Sequence, residues 1–324
     1  MAELRTLVKQ PLTLGIILVT LILLALYPSF VETYSVVYMN TILMYAILTL
    51  SWTIFSGPTH YISLASTAFF GVGIYTSALF SNSLPLSVLI ILGALVSFVL
   101  ALCIGLLTLR LRGIYFILFT FGVGALLRQS ILWWETTITG TVGRFVMGPN
   151  IQTVYAYMVA IFAVTLLTAL FIRQSKYGLA LNSIGQNEEA ASHIGINVVW
   201  LKTVTFAVSA LFMGATGALM ATRWTYIDPT IAFNPLISFL PVLMAIFGGT
   251  SRLIGPILGA TIFTLLQQYL ITDYPYLYML IFGTTLIIVM LFLPDGLVGL
   301  VDKAMQRAKS DANAGSMSHS QGVS

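Results

Sequence analysis

Charge and cysteine are what this sequence has least of: 7% of its 324 residues are charged, and its single cysteine, Cys103, lies inside an apolar run. One thiol excludes a disulfide within the chain and a redox pair, and packing accounts for it. No Gly-Lys-Ser/Thr follows the glycine pairs Phe121-Gly122-Val123-Gly124 and Phe247-Gly248-Gly249-Thr250, so a phosphate-binding loop is missing and these glycines read as packing and turns. Zinc-ligand spacings and a nucleophile elbow are also missing. Glu188 and Glu189, being adjacent, diverge on a helix and make a poor acid/base pair. The sequence therefore offers no grounds for an enzyme, a metal site or a cofactor. The formal net charge of +4 is no nucleic-acid signal, because in so apolar a chain the distribution of lysine and arginine among loops is what counts. His60, beside Pro58 at the start of an apolar run, reads as structural.

What is present is hydrophobic length. With 58% hydrophobic residues and a mean hydropathy of +0.98, the composition implies an all-α, polytopic integral membrane protein in contact with lipid. Ten runs can be followed: Leu12 to Phe30, Tyr34 to Phe55, Ile62 to Phe80, Leu86 to Leu109, Ile114 to Trp133, Ile151 to Ile172, Thr203 to Thr222, Leu236 to Phe247, Ile254 to Ile271 and Leu277 to Leu293. The first lacks the small residues of a cleavage site and reads as an uncleaved span. Ser56-Gly57-Pro58 reads as the turn between the second and third. The eighth is short for a bilayer and contains Pro241, which suggests a broken or re-entrant helix.

Ten spans starting inside put eleven of the 14 lysines and arginines on the cytoplasmic side, leaving Arg128, Arg144 and Arg223 near the outer side. Both termini are then cytoplasmic. The expected organisation is an N-terminal segment 1–11, a transmembrane domain 12–301 and a tail 302–324 too poor in apolar residues to order itself.

The longest polar interval, 173–202, interrupts the spans. A charge at the centre of a membrane helix costs about 2.5 to 3.5 kcal/mol, so Glu188 and Glu189 alone oppose burial by about 5 to 7 kcal/mol. The interval lies outside the hydrocarbon, on the cytoplasmic side of this topology. Within it the spacing predicts a short helix with complete end signals: Asn187 as cap, Glu188 and Glu189 in the first turn, His193 in the last, and Gly195 as the left-handed stop. It reads either as a plain connection or as a peg for a soluble partner. Small Ala190 and Ala191 would let it enter a groove, and the acidic pair would meet basic groups at the rim.

The third run carries Ser63, Ser66, Thr67, Gly71, Gly73 and Ser77. Small residues allow close helix packing, and hydroxyls can also line a polar path for a zwitterionic solute. No ionisable residue occupies the centre of a run. That argues against an ion-coupled secondary carrier and for a conduit powered from elsewhere.

Four blocks together resemble the branched-chain amino acid ABC permeases, over about residues 40 to 300. They are Gly178 to Asn197 followed by Lys202 and Phe206 to Leu219, then Ser63 to Leu79, Gly248 to Ala260, and Leu293 to Leu300. The longer N-terminal run is similar to the LivM-type subunit more than to its LivH-type companion. The resemblance implies an importer in the inner or plasma membrane of a prokaryote. Its parts would be a second, homologous permease subunit, two cytoplasmic ATPase subunits, and a periplasmic or extracellular binding protein that delivers leucine, isoleucine or valine. It implies that Gly178, Asn187, Glu188, Glu189, Ala190, Ala191 and Gly195 form the coupling helix. A urea permease of similar architecture is the alternative within the class. The chain departs from the family pattern at Gly185, where an arginine is frequent, and at Ser251 to Pro256, where Gly-Thr-Leu-Trp-Gly-Pro is frequent.

Overall fold

A computed structural model describes residues 11–109, 111, 113–146, 148–274, 277, 280, 281, 283, 284, 287 and 296–299. The elements are α1 (Pro11–Leu26), α2 (Thr33–Thr59), α3 (Ser66–Phe80), α4 (Leu86–Thr108), α5 (Ile114–Trp134), α6 (Ile151–Gln174), α7 (Lys176–Gln186), α8 (Glu188–His193), α9 (Val198–Met220), α10 (Pro229–Ala232), α11 (Leu236–Gly248) and α12 (Ile254–Asp273). Nine of the ten expected runs are helices; the tenth, Leu277 to Leu293, lies largely outside the described residues, as does the tail 302–324. Among the described residues, seven helical stretches are long and apolar enough to cross a membrane, while α1 and α3 are shorter. One of the seven, Pro229–Gly248, joins α10 and α11 across non-helical residues 233–235, so the eighth run reaches a crossing length only together with α10, while α11 itself continues through Pro241.

Three expectations are corrected. Ser56-Gly57-Pro58 is helical. α2 runs on through Pro58 and stops at His60, which takes the left-handed conformation at φ 58° and donates its N–H to the Ser56 carbonyl. The third helix begins only at Ser66, leaving residues 60–65 outside any helix. α9 starts at Val198 instead of Thr203, because Asn197 caps it through a bond from the Trp200 amide of 3.1 Å. A small antiparallel ribbon pairs Arg144–Phe145 with Tyr226–Ile227.

The chain divides into two compact units within α11, at Val242. In the first, α9 packs along α4, α3 and α2. Helices approach so closely there that a Cβ on Gly73 would strike the Gly214 carbonyl. Phe55, Phe69, Phe116 and Phe206 form an aromatic cluster with adjacent ring centroids 5.1 to 6.3 Å apart, each side chain at most 1% exposed. In the second unit, Gly248 and Gly259 let the end of α11 lie against α12, and Phe247 meets Phe263 at 4.7 Å. Gly248 thus acts as a packing position, as its sequence suggested.

Candidate functional site

Between α6 and α9 the chain makes two helices in place of the one expected. Ser175 caps α7 by accepting from the Tyr177 and Gly178 amides, and Gly178 sits against the Ile172 carbonyl, where a Cβ would collide. α7 turns Leu181 and Ile184 inward. The Ser175 cap and the apolar spacing of Leu181 and Ile184 were the sequence signals for it.

α8 has the ends its sequence predicts. The Asn187 side chain accepts from the Glu189 and Ala190 amides at 3.0 and 3.1 Å. Gly195, at φ 87°, closes a Schellman turn, with its N–H to the Ser192 carbonyl and the Ile196 N–H to the Ala191 carbonyl. Two of its residues differ from the sequence reading. Ala191 is buried against Ile184 and Val198, which leaves Ala190 as the alanine that faces out. Glu188 turns inward, whereas Glu189 is exposed.

The partner of Glu188 is Lys202, counted from sequence as a loop charge. The α9 start at Val198 places it in a helix with its side chain fully buried. Its Nζ lies 2.8 Å from Glu188 Oε1, 3.1 Å from the Leu109 carbonyl and 3.2 Å from the Tyr61 hydroxyl. Tyr61 in turn donates to Glu188 Oε2 at 2.7 Å, and the ammonium stands 4.3 Å above the Tyr61 ring. A second tie joins α7 to the end of α2. His60 Nδ1 and the Gly185 carbonyl are 3.1 Å apart; since a carbonyl only accepts, this nitrogen carries the proton. Gly185 also abuts the Pro58 carbonyl, so no side chain fits there, the arginine of the family pattern included. Thr59, His60, Ile114, Ile117, Gln186 and Glu188 are among the residues lining a cleft of about 450 Å3 beside this junction.

A family pattern described as branched-chain amino acid transport system, permease component, matches residues 34–290. The chain belongs to this family. It is accordingly a multi-pass inner-membrane protein with a transport role. The chain is 26% identical to the high-affinity branched-chain amino acid transport system permease protein LivM of Salmonella typhimurium, over 90% of this chain and 75% of that protein. It is 27% identical to the LivH permease protein of Escherichia coli over 48% and 53%, and 26% identical to the ribose import permease protein RbsC of Haemophilus influenzae over 40% and 41%. No solved structure matches it.

In this permease the hydroxyl-rich third run begins with non-helical backbone, residues 60–65, packed among helices. Ser63, Ser66 and Thr67 are all at most 5% exposed. Polar groups of this stretch and of the first turn of α3 are met by side chains from three helices: Trp52 Nε1 donates to the Ser63 carbonyl, the Leu64 amide donates to Thr120, and Ser238 donates to the Leu64 carbonyl while accepting from the Thr67 amide. Irregular backbone at membrane depth requires such partners. Thr67 donates to the Asn234 carbonyl, Gly71 meets the Phe233 ring, and Gly73 meets Gly214, so these three follow the close-packing reading in this conformation. Ser63 and Ser66 differ. With Ser56, Ser209, Phe69 and Phe206 they face a crevice too narrow for a water molecule, and the buried Ser56 and Ser66 hydroxyls have no hydrogen-bond partner there.

Proposed function

We propose that the chain is one of two homologous permease subunits of an ATP-driven importer for branched-chain amino acids. In this reading ten helices span the membrane, both termini and the α7–α8 end are cytoplasmic, two ATPase subunits grip α8, and a binding protein delivers the solute at the opposite side. ATP hydrolysis belongs to the separate subunits. The observation that carries the reading is α8 itself, in a chain of this family: a helix capped at both ends, tied to the bundle by Glu188 and turning Glu189, Ala190, His193 and Ile194 outward. That outer face offers a small residue for close approach and an acid for a basic rim.

For the solute we retain Ser63 and Ser66 among the residues on the path, with Thr67, Gly71 and Gly73 shaping the helix that carries them. Support comes from their orphaned or inward hydroxyls: a buried hydroxyl without a partner costs about 1–3 kcal/mol, a cost that a passing ammonium or carboxylate would relieve.

The deciding experiment reconstitutes the chain with and without its partner permease, ATPase subunits and binding protein, and follows leucine and urea. Leucine uptake that needs ATP and every subunit is expected. Uptake by this chain alone on an ion gradient would refute the importer, and uptake of urea without leucine would move the substrate class.

A further inference from the structure

The buried lysine beneath α8 gathers contacts from parts of the chain far apart in sequence. An ammonium has three hydrogens to donate, and Lys202 places each: on Glu188 at the start of α8, on Tyr61 in the α2–α3 connection, and on the carbonyl of Leu109 just past α4. The Tyr61 hydroxyl accepts from the lysine and donates to the glutamate, which closes a ring of three polar side chains. Its aromatic face meets Phe116 of α5 edge-on, with centroids 5.4 Å apart, and Phe116 packs against Phe55 of α2 and Phe206 of α9. Glu188 is thus connected, within two side chains, to α2, α4, α5 and α9.

A buried ion pair is a poor way to gain stability, since its desolvation offsets much of its attraction, but it fixes geometry. The apolar anchorage of this region is modest: Ile184, Ala191 and Val198, with Ile196 and Leu201 against them. Such small smooth contacts allow a helix to slide. The charged ring, with every donor and a defined direction committed, does not.

Resting on the importer reading above, we propose that Lys202, Glu188 and Tyr61 form a joint through which displacement of α8 becomes movement of α2, α4 and α9. They act as positioning residues, distinct from the outward face of α8 and from the serines of the crevice. Breaking the ring disconnects ATP hydrolysis from uptake without detaching the ATPase.

The test uses the complete reconstituted importer and measures radiolabelled leucine taken up per ATP hydrolysed, with ATPase co-purification as the check on assembly. Lys202→Met and Glu188→Gln are expected to keep the ATPase bound and hydrolysing while uptake per ATP drops about 10-fold or more, with Tyr61→Phe falling by a smaller factor. The double variant Glu188→Gln with Lys202→Met is expected to lose no more uptake per ATP than Lys202→Met alone, to within about 3-fold, because removing one partner already opens the ring. Wild-type stoichiometry in the single variants overturns the joint. So does a proportional loss of uptake and hydrolysis whose single effects multiply in the double variant, since that marks two independent structural losses. Failure of the natural chain to show ATP-driven uptake is a separate result and overturns the importer reading beneath it.

Discussion

Adjacent residues in α8 have opposite assignments, and the side chains explain why. Glu188 opens the helix facing the bundle and pairs with a lysine that has no access to water, whereas Glu189 points outward. Reversing the charge of Glu188 sets two ammonium groups together in a buried site and is expected to destabilise the fold by about 3–5 kcal/mol, the magnitude seen when a buried pair is broken. Reversing Glu189 touches only an exposed interaction worth about 0.2–1 kcal/mol, so Glu189→Lys should insert and fold normally while binding the ATPase a few-fold more weakly, with a gap that closes as salt is raised. Thermal unfolding in detergent and ATPase pull-down separate the two; equal melting of both variants would contradict the assignment. Gly185 invites a second substitution at this scale. Restoring the arginine frequent in the family pattern drives a Cβ into the Pro58 carbonyl beside the His60 bond, so Gly185→Arg is expected to lower stability by about 1–3 kcal/mol, read as a fall in the melting temperature.

Among the elements, the entrance to α3 is the most dependent on others. Residues 60–65 have no helix of their own to satisfy their backbone, and Ser238 alone serves both the Leu64 carbonyl and the Thr67 amide. Ser238→Ala leaves those two groups buried and unmet. A loss of about 1–3 kcal/mol is expected, with faster hydrogen exchange at Thr67 while α6 stays protected. Stability equal to the natural chain would mean that a neighbouring hydroxyl substitutes. This dependence also explains how legible the sequence was. Signals carried by the chain itself were read correctly: the Asn187 cap, the Gly195 stop and the helical character of nine runs. What could not be read were features decided by distant partners. Nothing local to Pro58 says that α2 continues past it, and nothing near Ser63 says that Trp52, Thr120 and Ser238 will satisfy its neighbourhood outside a helix. Lys202 was misjudged for a similar reason, since the Asn197 cap that draws it into α9 was a readable signal but its carboxylate partner lies 14 residues away on another helix. Ala191 shows the limit of a six-residue helix, which is too short for its buried side to be inferred from periodicity.

For the whole molecule, the decisive quantity is the side of the membrane on which α8 lies. Ser192 is exposed on α8, and Thr136 is exposed near the opposite end of the intervening span α6, just past α5. In a Cys103→Ser background, a membrane-impermeant thiol reagent should label Ser192→Cys in inside-out vesicles and Thr136→Cys in intact cells. The opposite pattern would invert the topology, and with it the placement of eleven basic residues. The same labelled position reports docking. If the ATPase grips the outer face of α8, Ser192→Cys becomes protected when the ATPase is present and reactive again once it is stripped away. Ala190→Trp, which replaces a small outward residue with the bulkiest, should abolish that protection while leaving labelling in stripped vesicles unchanged. Bulk at a groove acts sterically, so this effect should persist at high salt, unlike that of Glu189→Lys. Persistent protection in Ala190→Trp would place the ATPase contact elsewhere, with the cleft beside His60 and Gln186 the next surface to probe.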